Sequence, residues 1–514
     1  MKQSLIERTS GRLTQFLEPV RVNSTKVGAM NFRRVHGRYL ITNDAGYFAL
    51  LTAHNFKRYL EGRIREDEPL YQELQDKGFI KGAKIDSSAL TKVFREKNGF
   101  LWCKGPALHM LVVTLRCNQL CQYCHASVVG PSRFETDMSL ETARRTVDFV
   151  FQTPGQHIGI EFQGGEPLLN WPIVKFVTEY ARLKNKTAKR SLTIGLVTNM
   201  SLMDAEKLKY LMDHRVSICT SLDGPPEVHD QNRPFLGGGP SQKKVVQGIK
   251  NIFEVCHSGK YMRCNLPGAL LTSTRFSFPY YKEIVDLYAE LGLAHIFIRP
   301  MSPIGYAKRA WPQIGYTPQE FCRFYEKTLD YVLEMNRNGK PLIEKMASLL
   351  LTKILTRRDP GFMDMRSPTG AVLGCLAYNF NGDIFTSDEG RMLSHEGDDS
   401  FKVGNVYESD WEGVLTYPTT RICSSASVLD SQPLCSQCAY KPFCGICPVY
   451  HYETQNNISG LMPASGWCQT RMGIFDVIFK KLQDPANMKI FNGWLEIERR
   501  HLEALEAVGA PDAA

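Results

Sequence analysis

Three cysteines stand close together in Leu111–Ser127, LVVTLRCNQLCQYCHAS: Cys117, Cys121 and Cys124, spaced Cys-x3-Cys-x2-Cys. Thiolates gathered in one loop hold a soft metal. A cubane [4Fe–4S] cluster normally takes four cysteines, one per iron. Three therefore leave one iron open to a small molecule. A zinc knuckle with His125 as fourth ligand is the other reading of these residues. Structural zinc usually shows two separated ligand pairs, so the spacing favours the cluster.

A second cysteine-rich stretch lies downstream. Cys435, Cys438, Cys444 and Cys447 fall within CSQCAYKPFCGIC, with Cys375, Cys423 and Cys468 on either side. Paired cysteines suit zinc as well as iron–sulfur. Cys103, Cys219, Cys256, Cys264 and Cys322 match no ligand spacing and read as core or surface thiols. Fifteen cysteines, mostly in two groups, argue for metal binding in a reducing compartment rather than a disulfide framework.

The elements that must position the first group read as parallel β/α units. Candidate strands are His109–Leu115, Gly159–Phe162, Leu192–Thr198, Val216–Ser221, Met262–Ala269 and His295–Arg299, with helical patterns between them. Six units are too few for a closed eight-unit barrel, so an open, partial (β/α)6 barrel of the α/β class is expected. Function in such sheets gathers at the strand C-termini. The cysteine loop follows the first strand there. Gln163-Gly164-Gly165-Glu166-Pro167 follows the second; its glycines let a backbone approach closely, and its carboxylate suits an ammonium. Asn199 ends the third strand and Ser221 the fourth; either could meet a ribose or carboxylate, or cap a helix. Arg299 ends the last, facing either a ligand carboxylate or the barrel's own acids.

The 514 residues are expected to form a small module at 1–100, the β/α core at 101–316, a helical connector at 317–370, a cysteine-rich domain at 371–470 and two helices at 471–514. In the first module, Tyr39–Thr42 and Tyr47–Leu51 read as strands, followed by helices at His54–Glu61 and Leu70–Lys77, a winged-helix-like pattern. Acidic Glu61, Glu66, Asp67 and Glu68 interrupt its basic residues, which argues against a nucleic-acid surface. The net charge of +9 is modest and requires no anionic partner. No apolar signal core and no run of membrane-spanning length is present, so a cytoplasmic location is expected.

The cysteine loop, with Gly164-Gly165-Glu166-Pro167 one strand later, resembles the radical S-adenosylmethionine (SAM) enzymes. The resemblance implies that Cys117, Cys121 and Cys124 hold a [4Fe–4S] cluster whose open iron chelates SAM and generates a 5′-deoxyadenosyl radical. It assigns SAM contacts to Gly164, Gly165, Glu166, Asn199 and Ser221, and places Tyr123 near the adenine, although core packing accounts equally for that ring. The downstream cysteines resemble the SPASM extension of peptide maturases. Carried over residue by residue, one auxiliary cluster takes Cys435, Cys438, Cys444 and Cys468. A second inherits Cys375 and Cys447 but meets Ser387 where the pattern has cysteine; Cys423 is the available substitute, or a buried free thiol. The last cysteine pair is also one residue closer than the pattern. Asp388 occupies the position of a catalytic base in the formylglycine-forming sulfatase maturases of this layout; a turn or an Arg391 partner is the plainer account. The NFRR…GRYLITNDAGYF opening, IRPMSPIGYA and CAYKPFCGICP resemble the B-type maturases of the His-Xaa-Ser peptide system. That resemblance implies a ribosomally synthesised precursor peptide as substrate, a flavodoxin or ferredoxin as reductant and a paired second maturase. The rivals are a sulfatase maturase and, from another class, a metal-containing winged-helix regulator of DNA.

Overall fold

The computed structural model describes residues 22–81, 92, 105–124, 126–257, 261 and 266–509. The chain divides into two units: Met1–Glu96 with Gln437–Phe443, and Lys97–Ser436 with Cys444–Ala514.

The first unit is built on an antiparallel sheet of β1 (Asn31–Val35), β2 (Arg38–Thr42) and β3 (Phe48–Leu51), with β2 central. His36 and Gly37, both with positive φ, make the two-residue turn that matches strand twist. The strand β1 was not expected, because Arg33 and Arg34 break its apolar alternation. With β2 in the middle, the edge within Tyr39–Leu51 is β3 alone. Helices α1 (Ala53–Leu60) and α2 (Pro69–Asp76) follow. Thr52 caps α1 by accepting from the Asn55 amide, and Pro69 opens α2, where no amide is needed. Ile41, Leu51, Phe56, Tyr59, Leu74 and Phe79 close the core. The segment carrying Cys438 packs here too: the Thr42 hydroxyl donates to the Ala439 carbonyl at 2.8 Å, and Lys441 pairs with Asp44 at 2.7 Å.

The second unit carries a ten-stranded sheet. Six parallel strands run in sequence order: β4 (Leu108–Thr114), β5 (His157–Gly164), β6 (Ser191–Thr198), β7 (Ser217–Ser221), β8 (Gly268–Thr272) and β9 (His295–Arg299). This is the expected α/β architecture. The fifth strand sits later than expected, at Gly268–Thr272; Met262–Asn265 lie outside the described residues. The sheet also runs on at both sides. Short β10 (Ile343–Glu344) joins β9, and β11 (Cys375–Tyr378), β12 (Asp383–Phe385) and β13 (Lys402–Asn405) extend it beyond β4. The cysteine-rich region therefore begins as part of the core sheet. Within the expected helical connector, β10 is followed by α3 (Lys345–Leu351), capped by Glu344.

Alternation along the parallel strands sets the two faces apart. Ile158, Ile160 and Phe162 on β5 and Leu192, Ile194 and Leu196 on β6 are buried in the main core. Their neighbours Glu161, Gln163 and Val197, with Cys219 and Ser221 on β7 and Arg299 on β9, are only half-buried. Parallel sheets ordinarily bury both faces, so this polar inner face marks room for a ligand. Among the described residues no helix is long and apolar enough to cross a membrane.

Candidate active site

The cysteine loop leaves β4 over a fixed exit. Arg116, buried, forks onto Asp137 at 2.8 and 2.6 Å and donates to the Pro131 and Leu169 carbonyls. Bidentate pairs of this kind fix direction as well as charge. Farther on, the Leu120 amide donates to the Pro234 carbonyl and Gln122 to Asn232, both at 2.9 Å, and Tyr306 donates to Cys124. Burial pushes all three thiols up, Cys121 to about 12; Cys117 is pushed further by Cys121 and Cys124. Buried thiols that crowd one another in this way suit a cation that draws off their protons. Among the described residues no three Cys, His, Asp or Glu side chains stand at single-ion separations, and His125 lies outside them. A cubane spreads its ligands over four irons and does not require such separations.

The Gly164–Pro167 loop is pressed against that exit. A Cβ on Gly164 would lie 2.3 Å from the Thr114 carbonyl oxygen, and one on Gly165 2.1 Å from that of Arg116. The glycines thus serve a close approach to the chain's own backbone. Glu166 also departs from expectation. Its fully buried carboxylate accepts from the Thr198 hydroxyl at 2.7 Å, the Asn199 amide at 2.8 Å and the Leu168 amide at 3.1 Å. Those donors turn the carboxylate into the fold, where it ties β5 to the end of β6. Asn199 Nδ2 lies 2.9 Å from Asn118 Oδ1 and 3.9 Å from Cys117 Sγ. The ends of β4, β5 and β6 thereby meet at the cysteine loop.

Tyr123 is buried, its hydroxyl donating to Asp223 at 2.5 Å, and Ser221 ends β7 half-buried. Sequence reasoning missed Arg233, which follows helix α4 (Pro226–Asn232). Its Nε donates to Asp223 at 3.1 Å, and its Nη1 lies 3.9 Å from Cys121 Sγ. The usable signal is spacing: one short helix returns the chain from Asp223 to the same strand end.

On the inner face, burial raises the Glu161 pKa; Gln163, donating at 2.5 Å, and Arg299 oppose the rise, while Asp388 adds to it. Arg299 therefore faces the barrel's own acid. Asp388 opens helix α5 (Asp388–His395), which Ser387 caps by accepting from the Gly390 amide. The Asp388 carboxylate pairs with buried Arg391 at 2.8 Å, and Arg391 lowers the Cys124 pKa. Asp388 is thus both an arginine partner and a neighbour of the inner-face acid.

The downstream cysteines separate. Cys435, Cys444 and Cys468 share an apolar cluster with Leu429, Ile446 and Met462. Cys375 and Cys447 both have their pKa values raised by burial and by Glu389 and Asp364. Cys423 lies in an apolar cluster against which Cys447 also packs. It is fully buried with Ile304, Met392, Leu393, Phe401 and Val449, and burial alone pushes its thiol up to about 12. Cys423 is thus a buried thiol in the neighbourhood of Cys447, and Ser387 is a helix cap. Cys375 and Cys447 are two thiols there, with Cys423 the third candidate, where a cubane normally takes about four ligands.

Residues 111–271 match the model of the Radical SAM superfamily. The chain is 30% identical over 198 residues to an uncharacterized protein of Methanocaldococcus jannaschii, covering 38% of this chain and 62% of that protein's length. It is 22% identical over 391 residues to the cysteine-type anaerobic sulfatase-maturating enzyme of Clostridium perfringens, covering 74% of this chain and 99% of the relative. Among solved structures, native anSMEcpe with bound AdoMet and Cp18Cys peptide superposes with a TM-score of 0.60 at 20% identity, covering 74% of this chain and 99% of that one. The superposition shows a shared fold, and the family match covers the stretch that carries the cysteine loop; SAM and [4Fe–4S] clusters are the cofactors which that match implies.

Proposed function

We propose that this chain modifies a residue of a ribosomally synthesised precursor peptide. The convergence of Cys117, Asn199 and Glu166 where β4, β5 and β6 end is the observation that carries its radical chemistry. Cys117, Cys121 and Cys124 would hold the SAM-binding cluster, and Cys435, Cys444 and Cys468 would serve an auxiliary one. With these groups bound, SAM supplies a 5′-deoxyadenosyl radical that abstracts a substrate hydrogen atom. The chain's own residues orient and protect that event. Glu166 and Arg116 hold the loops rigid, which leaves the backbone beside Gly164 and Gly165 for an ammonium. Tyr123, Asn199 and Ser221 line the approach to the cysteine loop, and Arg299 anchors an acid opposite. Asp388 would take the proton released as the substrate radical gives up its remaining electron to the auxiliary cluster.

Two observations support a peptide. The sulfatase-maturase relative is matched over 99% of its length, yet about a quarter of this chain has no counterpart in it. The first unit, moreover, has β1 and β3 as the outer strands of its sheet among the described residues, and strand addition is one way in which a leader peptide could bind. The sequence features that resemble B-type His-Xaa-Ser maturases support that substrate class, with a flavodoxin or ferredoxin as electron donor, a paired maturase as partner and the cytoplasm as location. Full-length coverage of the sulfatase maturase favours formylglycine formation as the second reading. Anaerobic incubation with SAM, a strong reductant and either a His-Xaa-Ser precursor or a sulfatase peptide separates them by mass spectrometry. A precursor product lighter by two hydrogens, with an unchanged sulfatase peptide, is expected; the reverse would overturn the first reading.

A further inference from the structure

Arg233 is a buried cation beside a thiol that the proposed mechanism assigns to the SAM-binding cluster. Its side chain is 11% exposed, and that of Asp223 is fully buried. The guanidinium is held on three sides. Nε donates to Asp223 Oδ2 at 3.1 Å, the group lies 5.0 Å over the Tyr123 ring, and Nη1 points to Cys121 Sγ at 3.9 Å. Asp223 is not free to cancel it fully. The same carboxylate accepts from the Tyr123 hydroxyl at 2.5 Å, Asn232 Nδ2 at 3.1 Å and the Thr272 amide at 3.3 Å. Its negative charge is therefore spread over four donors, and of these four the guanidinium is the one near the sulfur, which also donates to the neutral Gln119 Oε1 at 3.8 Å.

We propose that Arg233 is a positioning residue that raises the reduction potential of the cluster held by Cys117, Cys121 and Cys124. The proposal rests on the ligand role assigned to those cysteines. Reduction adds one electron to the cluster, and a cation out of water beside a ligand sulfur stabilises the added charge more strongly than an exposed one would. An N–H donor to a cluster sulfur acts in the same direction, since hydrogen bonds to sulfur are among the factors that set cluster potentials. The Asp223 carboxylate fixes the guanidinium against Cys121 and tempers its effect. The arrangement lowers the demand on the electron donor.

The test uses full-length protein reconstituted anaerobically with iron and sulfide. Midpoint potentials are read from the electron paramagnetic resonance signal that SAM perturbs. Arg233→Gln should shift the potential downward by at least a tenfold change in the reduction equilibrium, about 59 mV for one electron. Arg233→Lys keeps the charge and should stay closer to wild type than Arg233→Gln. Asp223→Asn should move it upward, a reversal that loosened packing alone would not produce. Arg233→Gln leaves Asp223 buried without its cation, so the doubly neutral Arg233→Gln/Asp223→Asn variant serves if the single one does not fold. It too should lie below wild type, because the nearer charge is the arginine's. Unchanged potentials in the Arg233→Gln variant, or in the double variant where that one must serve, would overturn the proposal. A wild-type protein with no SAM-sensitive signal would instead overturn the ligand assignment beneath it.

Discussion

Cys121 and Cys423 are both buried thiols, and both are pushed up to about 12. Their surroundings differ completely. Cys121 sits in a loop with two more thiols, a guanidinium at 3.9 Å and a carboxylate behind it. Cys423 lies on a helix in an apolar cluster, with Cys447 packed against it, and burial alone raises its thiol. The first environment can accommodate changes of charge; the second resists them. Burial alone does not distinguish a ligand from a core residue, whereas company does.

The largest effect that would break this contrast belongs to the loop. Replacing Cys117, Cys121 and Cys124 with Ala should reduce reductive SAM cleavage to background, measured as 5′-deoxyadenosine by chromatography; retained cleavage would put the radical chemistry elsewhere. Next comes Asp388. The Asp388→Asn variant should still cleave SAM but lose about a hundredfold in peptide product, within the range for a general base. Normal product yield would leave it only the role of partner to Arg391.

Glu166→Ala tests the scaffold beneath the loop. It strands three donors that now meet one carboxylate, and should cost about 3 kcal/mol in urea unfolding. A much smaller loss would mean that β5 and β6 are held together elsewhere. The smallest effect belongs to Cys423→Ala: about 1 kcal/mol of stability, with iron unchanged. Reconstituted protein should carry about eight irons, and Cys444→Ala about four fewer. Iron lost with Cys423 would place that thiol at a cluster after all.

The parallel strands were legible because apolar residues alternate on β5 and β6, and because turn-forming residues follow each strand. The short strands were not. In β1, arginines interrupt the pattern, and β10 has only two residues, so propensity and periodicity had little to act on. The cysteine loop was legible from spacing. The sense of Glu166 was not: sequence shows a carboxylate beside two glycines, while only the fold shows Thr198 and Asn199 closing on it. Arg233 was hidden for the same reason. A cation before a proline at a helix end reads as surface, and its burial depends on Asp223, ten positions away across a helix. For Cys423 the sequence shows only a cysteine near a gap in the pattern, while the fold shows its burial in a cluster that Cys447 also packs against.

The most direct test of the account is whether the loop's cluster has an open iron. Electron paramagnetic resonance spectra of the reduced, reconstituted protein should be recorded before and after addition of SAM. The account predicts that SAM alters the spectrum of the wild type. In the Cys117/Cys121/Cys124→Ala variant that response should be lost while the auxiliary signal remains. A wild-type spectrum indifferent to SAM would contradict the claim that these three cysteines leave an iron free to bind it.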